Sequence, residues 1–206
     1  MEDFGFYLVM TNPVVGYERC CEAAVGAGVR IVQLRMKDAP RAEIVSVARR
    51  LRQVTHGTDT KFIVNDDPSI AAEVGADGVH VGQGDMPVDE VRRRYPELGI
   101  VGLSTHSPAQ ALASLAVRPD YVGVGPVFAT PTKKIPDPTL GVATAAQMIA
   151  SVPCPAVAIG GLDFETLPAV LAAGARNFAV VRAVCGSSDP AAAIRRIQRL
   201  ASLPQV

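Results

Sequence analysis

The chain has 206 residues, of which 49% are hydrophobic, and its formal net charge is zero. A single domain of this length buries about 70% of its unfolded surface, and the balanced charge gives no electrostatic reason to expect nucleic acid or an anionic membrane as a partner. No apolar run approaches the roughly 18 residues of a membrane-spanning helix, and the acidic start lacks the basic and apolar regions of a signal peptide. We therefore expect one domain, residues 1–206, in the cytoplasm.

Short apolar segments rich in β-branched residues recur along the chain, and segments of helical spacing separate them. The apolar segments are predicted to form strands that begin near Phe6, Ile31, Lys61, Gly78, Ile100, Tyr121, Ala156 and Asn177. Helices are predicted over 17–27, 41–54, 68–74, 87–95, 108–115, 142–150, 164–173 and 190–200. This alternation predicts a parallel sheet with right-handed crossovers.

Eight strand–helix units close naturally into an α/β fold of the (β/α)8 TIM-barrel type. Because a complete barrel typically needs about 250 residues, this one would be of minimal size, with short loops. A doubly wound open sheet is the competing architecture, and it is disfavoured because no Gly-x-Gly-x-x-Gly pattern follows the first strand. Helix ends carry their own signals: N-caps at Asp67 and Ser107, each before a proline, and C-caps at Gly28, Gly75 and Gly174.

The second predicted strand ends in polar side chains. Gln33, Arg35 and Lys37 alternate with apolar residues, so all three fall on one face as the strand exits. An amide, a guanidinium fork and an ammonium together match a diphosphate with a neutral hydrogen-bonding group beside it. A buried arginine–carboxylate ion pair is the alternative role for Arg35.

Two carboxylates follow the next two strands. Asp66 ends the third strand and Asp85 lies just past the fourth; neighbouring strands are about 4.8 Å apart, so both can reach one point above the barrel. This arrangement suits Mg²⁺, which favours one or two carboxylates together with water and phosphate oxygens. Helix capping is the alternative for Asp66, while the place of Asp67 before Pro68 favours an N-cap over a metal ligand. Ser104 adds a hydroxyl at the end of the fifth strand.

The connection 126–141 is far longer than the usual loop of about 2–6 residues after a strand, and we interpret it as an active-site lid. It carries Thr130, Thr132, Lys133 and Lys134, although solvated lysines are common on surface loops.

The loops after strands seven and eight often form the phosphate site of such barrels, and here they contain Gly161 and the segment 181–182. Ordinary turn glycines are the alternative. Of the histidines, His80 is interpreted as a core residue, and a direct role for His106 stays open.

Taken in order, five motifs resemble thiamine phosphate synthase: QLRMK at 33–37, ND at 65–66, GVHVGQGD at 78–85, GPVFATPTKK at 125–134 and AIGG at 158–161. Their order and spacing are similar to those of the family over essentially the whole chain. The resemblance implies a TIM-barrel transferase that joins a hydroxymethylpyrimidine diphosphate to a thiazole phosphate and releases diphosphate. The implied chemistry ionises the C–O bond first and gives a pyrimidine-stabilised carbocation that the thiazole nitrogen captures.

The resemblance also implies a role for particular residues. Arg35, Lys37, Lys133 and Ser104 would act in catalysis, and Asp66 and Asp85 would bind Mg²⁺. The residues implied to hold the pyrimidine diphosphate are Gln33, Leu34, Arg35, Met36, Lys37, Asn65, Ser104 and Lys133. The residues implied to hold the thiazole phosphate, or its carboxylated form, are Thr130, Pro131, Thr132, Gly161, Val181 and Arg182.

Two residues depart from the pattern that the resemblance implies: Arg182 stands where many members have serine, and Asp163 where asparagine is common. The nearest alternative is a thiazole tautomerase-like isomerase, in which a histidine typically stands at the position of Pro126. A non-catalytic phosphate-binding barrel is the third hypothesis. The partners expected are two small-molecule substrates, without nucleic acid or membrane, and a homo-oligomer is left open.

Overall fold

The computed structural model describes residues 1–130 and 137–202, and within them the chain forms eight strands and nine helices. The strands are β1 Phe6–Met10, β2 Ile31–Leu34, β3 Lys61–Asn65, β4 Gly78–Val81, β5 Ile100–Thr105, β6 Tyr121–Val124, β7 Ala156–Ala158 and β8 Asn177–Val180. The helices are α1 Tyr17–Gly26, α2 Arg41–Thr55, α3 Pro68–Glu73, α4 Val88–Arg94, α5 Pro108–Val117, α6 Gly141–Ser151, α7 Leu167–Ala172, α8 Arg182–Cys185 and α9 Pro190–Ser202.

The strands form a closed parallel barrel in chain order. Each strand pairs with the next, and β8 returns to pair with β1, where Leu8 lies opposite Val32 on one side and Val180 on the other. This closure confirms the predicted TIM barrel and excludes the doubly wound open sheet. All eight strands begin where the sequence predicts.

Two layers of side chains make up the core. Alternate strand residues such as Leu8, Val32 and Phe62 point outward and pack beneath the helices, as expected for strands buried on both faces. The other set fills the barrel interior with Phe4, Tyr7, Val9, Ile31, Ile63, Tyr121, Val157 and Ala179. The interior is therefore a packed layer, and it supports whatever binds above it.

Most helix ends follow the predicted signals. Asp67 Oδ1 accepts hydrogen bonds from the backbone N–H of Ser69 and Ile70, and Ser107 Oγ accepts one from Gln110 N. The start of α7 differs from the prediction: the helix begins at Leu167, three residues later than expected. Residues 164–166 form a turn before it, which the Asp163 side chain caps. Of the helices in the described part of the chain, none combines the length and the apolar character needed to cross a bilayer.

Candidate active site

A cavity of about 740 Å³ lies at the carboxyl ends of the strands. Residues that follow seven of the strands line it, as the barrel architecture predicts. They fall into three groups: a polar floor inside the barrel, a charged cluster after β2, β3 and β4, and a glycine turn with two arginines after β7 and β8.

The floor is a continuous chain of hydrogen bonds. Gln33 Nε2 donates to Tyr7 Oη at 2.6 Å, and Tyr7 Oη lies 2.8 Å from Tyr121 Oη. Tyr121 Oη is in turn 3.0 Å from Nδ1 of His80, whose Nε2 is 2.8 Å from Ser104 Oγ. Gln33 is only 3% exposed, so its side chain belongs to this floor and lies below the charged cluster. His80 is a hydrogen-bonded interior residue, as the sequence indicated, yet it also lines the cavity.

The charged cluster contains an ion pair and two neighbouring carboxyl groups. Lys37 Nζ pairs with Asp66, whose backbone has a left-handed φ of 67° and whose N–H donates to the His80 carbonyl oxygen at 2.8 Å. Asp85 Oδ2 accepts a hydrogen bond of 2.7 Å from Gly82 N. Burial raises the pKa of Asp85, the Gly82 N–H opposes this shift, and the adjacent Asp66 carboxylate adds to it. Two carboxyl groups this close either share a proton or hold a cation between them.

This donor set fits magnesium. Among residues 1–130 and 137–202, no group of three or more histidine, cysteine or acidic residues could hold a metal ion, so Asp66 and Asp85 would be the protein's own carboxylate ligands. Mg²⁺ binds in this way, through one or two carboxylates completed by water and substrate phosphates. A structural zinc site, by contrast, requires a closed set of four protein ligands.

Arg35 is half-buried beside this cluster. Burial lowers its pKa, and the nearby Asp66 carboxylate opposes that shift. Within the described part of the chain, its guanidinium forms no hydrogen bond or ion pair with a side chain, which disfavours the alternative of a structural arginine–carboxylate pair. Leu34 and Met36 behave differently, because their side chains pack into the outer core. Only their backbone groups could contact a ligand.

Asn65 and Ser104 complete the rim on this side. Asn65 is the last residue of β3, and both side chains line the cavity. Gln83 Nε2 donates to the Ser104 carbonyl oxygen at 2.6 Å, which fixes the backbone at the end of β5. His106, two residues further, donates from Nδ1 to the Gly125 carbonyl oxygen at 2.6 Å. These contacts place His106 in the wall of the cavity.

The opposite side of the cavity is built on a glycine turn. Gly161 has a φ of 68°, and a Cβ there would lie 2.7 Å from Phe128 Cβ and 2.8 Å from the Ala129 carbonyl oxygen. The turn therefore requires glycine because the start of the long connection packs directly on it. Val181 and Arg182 line the same side, at the start of α8, a helix of four residues that is too short for the periodicity analysis to find.

Asp163 caps the turn after β7. Its Oδ1 accepts hydrogen bonds from Glu165 N and Thr166 N at 2.9 and 3.0 Å. Burial opposes its charge, but these backbone hydrogen bonds, together with the charge of Arg182, lower the pKa of Asp163. An asparagine side-chain oxygen could accept the same hydrogen bonds. The cap occupies the turn that leads into α7, and the Leu167 N–H donates to the Asp163 carbonyl oxygen at 3.1 Å.

The long connection contributes Thr130 and Asp137 to the cavity lining. Pro131, Thr132, Lys133 and Lys134 lie outside the described residues, so the sequence predictions for them stay predictions.

The sequence analysis did not name Tyr7, Tyr121 and Arg196 as functional candidates, yet all three line the cavity. Arg196 lies with its guanidinium carbon 4.0 Å from the centre of the Phe164 ring. Side-chain alternation along β1 and β6 places Tyr7 and Tyr121 on the face toward the barrel interior, and this was the signal that could have identified them.

Comparison with known proteins identifies the family. Residues 6–184 match the family model described as thiamine monophosphate synthase. A thiamine-phosphate synthase of Anaeromyxobacter dehalogenans is 44% identical over 197 residues, which cover 94% of this chain and 86% of the relative. One from Laribacter hongkongensis is 41% identical over 204 residues, covering 97% and 96%. Thiamine phosphate pyrophosphorylase from Pyrococcus furiosus superposes with a TM-score of 0.88 at 31% identity, covering 97% and 96% of the two chains. The chain therefore belongs to the thiamine monophosphate synthase family.

Proposed function

We propose that this protein is a thiamine-phosphate synthase. It transfers the pyrimidine group of 4-amino-2-methyl-5-hydroxymethylpyrimidine diphosphate to the nitrogen of thiazole phosphate, and it releases diphosphate. One observation carries the proposal: two cationic side chains and two interacting carboxyl groups line one side of a single cavity, and a glycine turn with Arg182 lines the other. A cavity with these two anion-binding sides suits two phosphorylated substrates.

The diphosphate would bind at the charged cluster. Arg35 offers a guanidinium that forms no hydrogen bond with a described side chain, with the Asp66 carboxylate nearby, and Lys37 can exchange its partner Asp66 for a phosphate oxygen. Asn65 and Ser104 would add uncharged hydrogen-bond donors, and Lys133 a further cation from the long connection. Because C–O ionisation builds negative charge on the leaving diphosphate, fixed cations here stabilise the transition state more than the ground state.

Asp66 and Asp85 would hold Mg²⁺. Bound there, the ion would neutralise part of the diphosphate charge. The two residues suit this purpose because their carboxyl groups are close enough to interact, and because the Gly82 N–H holds Asp85 by a hydrogen bond. Arg35 and Lys37 then act on the phosphate oxygens that the carboxylates do not face.

The pyrimidine ring would lie over the floor. One amide N–H of Gln33 donates a hydrogen bond to Tyr7, so we place Gln33 beneath the pyrimidine ring rather than at the diphosphate. The thiazole phosphate would bind across the cavity, at Gly161, Val181 and Arg182. The residues of the connection assigned to it are Thr130, Pro131 and Thr132. Holding both rings face to face supplies the orientation that a bimolecular capture of the carbocation needs.

The alternatives fit less well. A tautomerase needs only the thiazole side and has no use for Arg35, Lys37 and a carboxylate pair, and Pro126 lines the cavity where its histidine would stand. A phosphate-binding barrel without catalysis has no reason to keep the carboxylates in contact. We extend the proposal to a single domain, residues 1–206, that works in the cytoplasm. Its partners would be small molecules, without nucleic acid or membrane. Sedimentation of the purified protein would test whether it forms a homo-oligomer.

The test is an assay with purified protein, both substrates and Mg²⁺, followed by chromatography of thiamine phosphate and measurement of released diphosphate. We expect both products in equal amounts, and neither when one substrate is omitted. Conversion of the thiazole phosphate to its tautomer without the pyrimidine substrate would favour the isomerase. Binding of both compounds without product, at saturating Mg²⁺, would overturn the proposal in favour of a binding barrel.

A further inference from the structure

We propose that Tyr7 and Tyr121 are positioning residues: acting through His80, they hold the hydroxyl of Ser104 as a hydrogen-bond donor that points to the first substrate. The inference rests on the proposed function, in which Ser104 meets the pyrimidine diphosphate. Neither tyrosine needs to touch a substrate atom for this. Their effect passes along the floor, where each neighbour lies within hydrogen-bond distance of the next.

The orientation of the Gln33 amide sets the direction of the donors in this chain of hydrogen bonds, and with Nε2 toward Tyr7 the donors run from Gln33 to Ser104. Gln33 Nε2 is a pure donor and points at Tyr7 Oη, so the Tyr7 hydroxyl proton must go to Tyr121. Tyr121 then donates to Nδ1 of His80. With Nδ1 accepting, the neutral imidazole carries its proton on Nε2, and this N–H donates a hydrogen bond to Ser104 Oγ.

The opposite direction leaves a buried group unsatisfied. If Tyr121 donated to Tyr7, the Tyr7 proton would have no acceptor among the described residues, although the side chain is 2% exposed. A buried hydroxyl without a partner is costly. Burial also raises the pKa of both Tyr7 and Tyr121, so both remain protonated donors. The direction of the hydrogen bonds along the floor therefore follows from the orientation of the Gln33 amide.

The consequence appears at the cavity surface. Since Ser104 Oγ already accepts a hydrogen bond from His80 Nε2–H, its own hydroxyl group is available to donate a hydrogen bond to a substrate oxygen. In the reverse arrangement Ser104 would donate to His80 and present only lone pairs to an anionic diphosphate. The tyrosine pair thus decides whether Ser104 attracts or repels the negative charge of the leaving group.

The surrounding backbone makes room for this contact. A Cβ at Gly102 would lie 2.2 Å from Tyr121 Cζ and 2.6 Å from His80 Nδ1. The His80 and Tyr121 rings also stack, with centroids 5.5 Å apart and an interplanar angle of 24°. Glycine on β5 is therefore what allows Tyr121 and His80 to meet. This is a built contact inside the barrel, between two side chains that a packed interior would otherwise separate.

The first test reads the tautomer of His80 directly and needs no activity. Long-range ¹H–¹⁵N spectra at a pH of about 8.5, where an ordinary histidine is neutral, distinguish Nδ1–H from Nε2–H. The chain has three histidines, and His80→Asn identifies the signals of His80. We expect Nε2–H in the unaltered protein and a shift toward a tautomer mixture in Tyr121→Phe. Observation of Nδ1–H in the unaltered protein would overturn the proposal.

The second test is a double-mutant cycle on Tyr121 and Ser104. Tyr121→Phe should raise the Kd for the magnesium complex of the pyrimidine diphosphate about 10-fold, the loss of one hydrogen bond to a charged group. In the Ser104→Ala background, the same change should raise the Kd less than about twofold, because the group on which Tyr121 acts is gone. Tyr95→Phe, at the end of α4 and away from the cavity, is the matched control.

The outcomes separate the two proposals. Equal losses in both backgrounds would show that Tyr121 acts on structure in general and would overturn the positioning role. A protein that forms no thiamine phosphate, and yet shows the Nε2–H tautomer that depends on Tyr121, would refute the synthase proposal and leave the hydrogen-bond direction standing.

Discussion

The substitution Gly102→Ala tests whether the interior of the barrel is as closely fitted as its distances indicate. The added Cβ would meet Tyr121 Cζ at 2.2 Å and Tyr121 Oη at 2.5 Å. Tyr121 has no room to withdraw, because its ring packs edge-on against Phe4 and Tyr7, with centroids 5.9 and 5.7 Å apart. The backbone of β5 or the Tyr121 ring must therefore shift.

The expected loss has two parts. Overpacking a well-filled core costs about 1–3 kcal/mol, and breaking the hydrogen bond from Tyr121 to His80 adds about 1 kcal/mol. We therefore expect Gly102→Ala to lower the free energy of unfolding by about 2–4 kcal/mol. For a chain of this size, this corresponds to a decrease in Tm of about 4–16 °C.

The control is Gly123→Ala on the neighbouring strand. Gly123 pairs with Ser104 in the β5–β6 register, and a Cβ there would lie 3.5 Å from His80 Cε1, an ordinary contact. We expect its free energy of unfolding, measured by urea titration, to stay within about 0.5 kcal/mol of the unaltered protein. If Gly102→Ala proved as stable as Gly123→Ala, the close packing around Tyr121 would be refuted, and with it the argument that glycine makes the floor possible.

Three further predictions concern the two ends of the cavity. EDTA should abolish turnover and added Mg²⁺ restore it, and Asp85→Asn should raise the Mg²⁺ concentration for half-maximal rate at least about 10-fold; full activity in EDTA would contradict the metal assignment. Lys133→Ala should lower kcat more than it raises the KM for thiazole phosphate, and an equal loss from Lys134→Ala alone would point to the other lysine. Arg182→Ser should raise the KM for thiazole phosphate by about 10- to 100-fold at most, the range of one charge-assisted hydrogen bond; complete loss of activity would show that the side chain, rather than the backbone around Gly161, holds the phosphate.

Strand positions could be predicted from the sequence because buried parallel strands are nearly continuous in hydrophobicity and end in polar residues. The same property brought Asp66 and Asp85 together in the prediction, since they follow neighbouring strands. The position of Gln33 was harder to predict. Strand alternation indicates the face that a side chain occupies, but not its depth along the barrel axis, and Gln33 lies one level below the charged cluster.

The floor could not be predicted, for a different reason. Tyr7 and Tyr121 lie in apolar strands and have the appearance of core aromatics, and they are separated by 114 residues in sequence. Only closure of the barrel brings β1 and β6 face to face across the interior. The first residue of α7 was also predicted three positions too early, because residues 164–166 continue the helical spacing but form the turn that Asp163 caps.

The residues of the floor come from five strands, β1, β2, β4, β5 and β6, and each one depends on the next for its hydrogen bond. A substitution at one of these positions therefore also removes a hydrogen bond from its neighbours in the floor. The opposite side of the cavity consists of turns and one long connection, where single substitutions leave the barrel interior intact. New second substrates should thus be accessible to stepwise evolution or design, whereas a new first substrate would require several strands to change together.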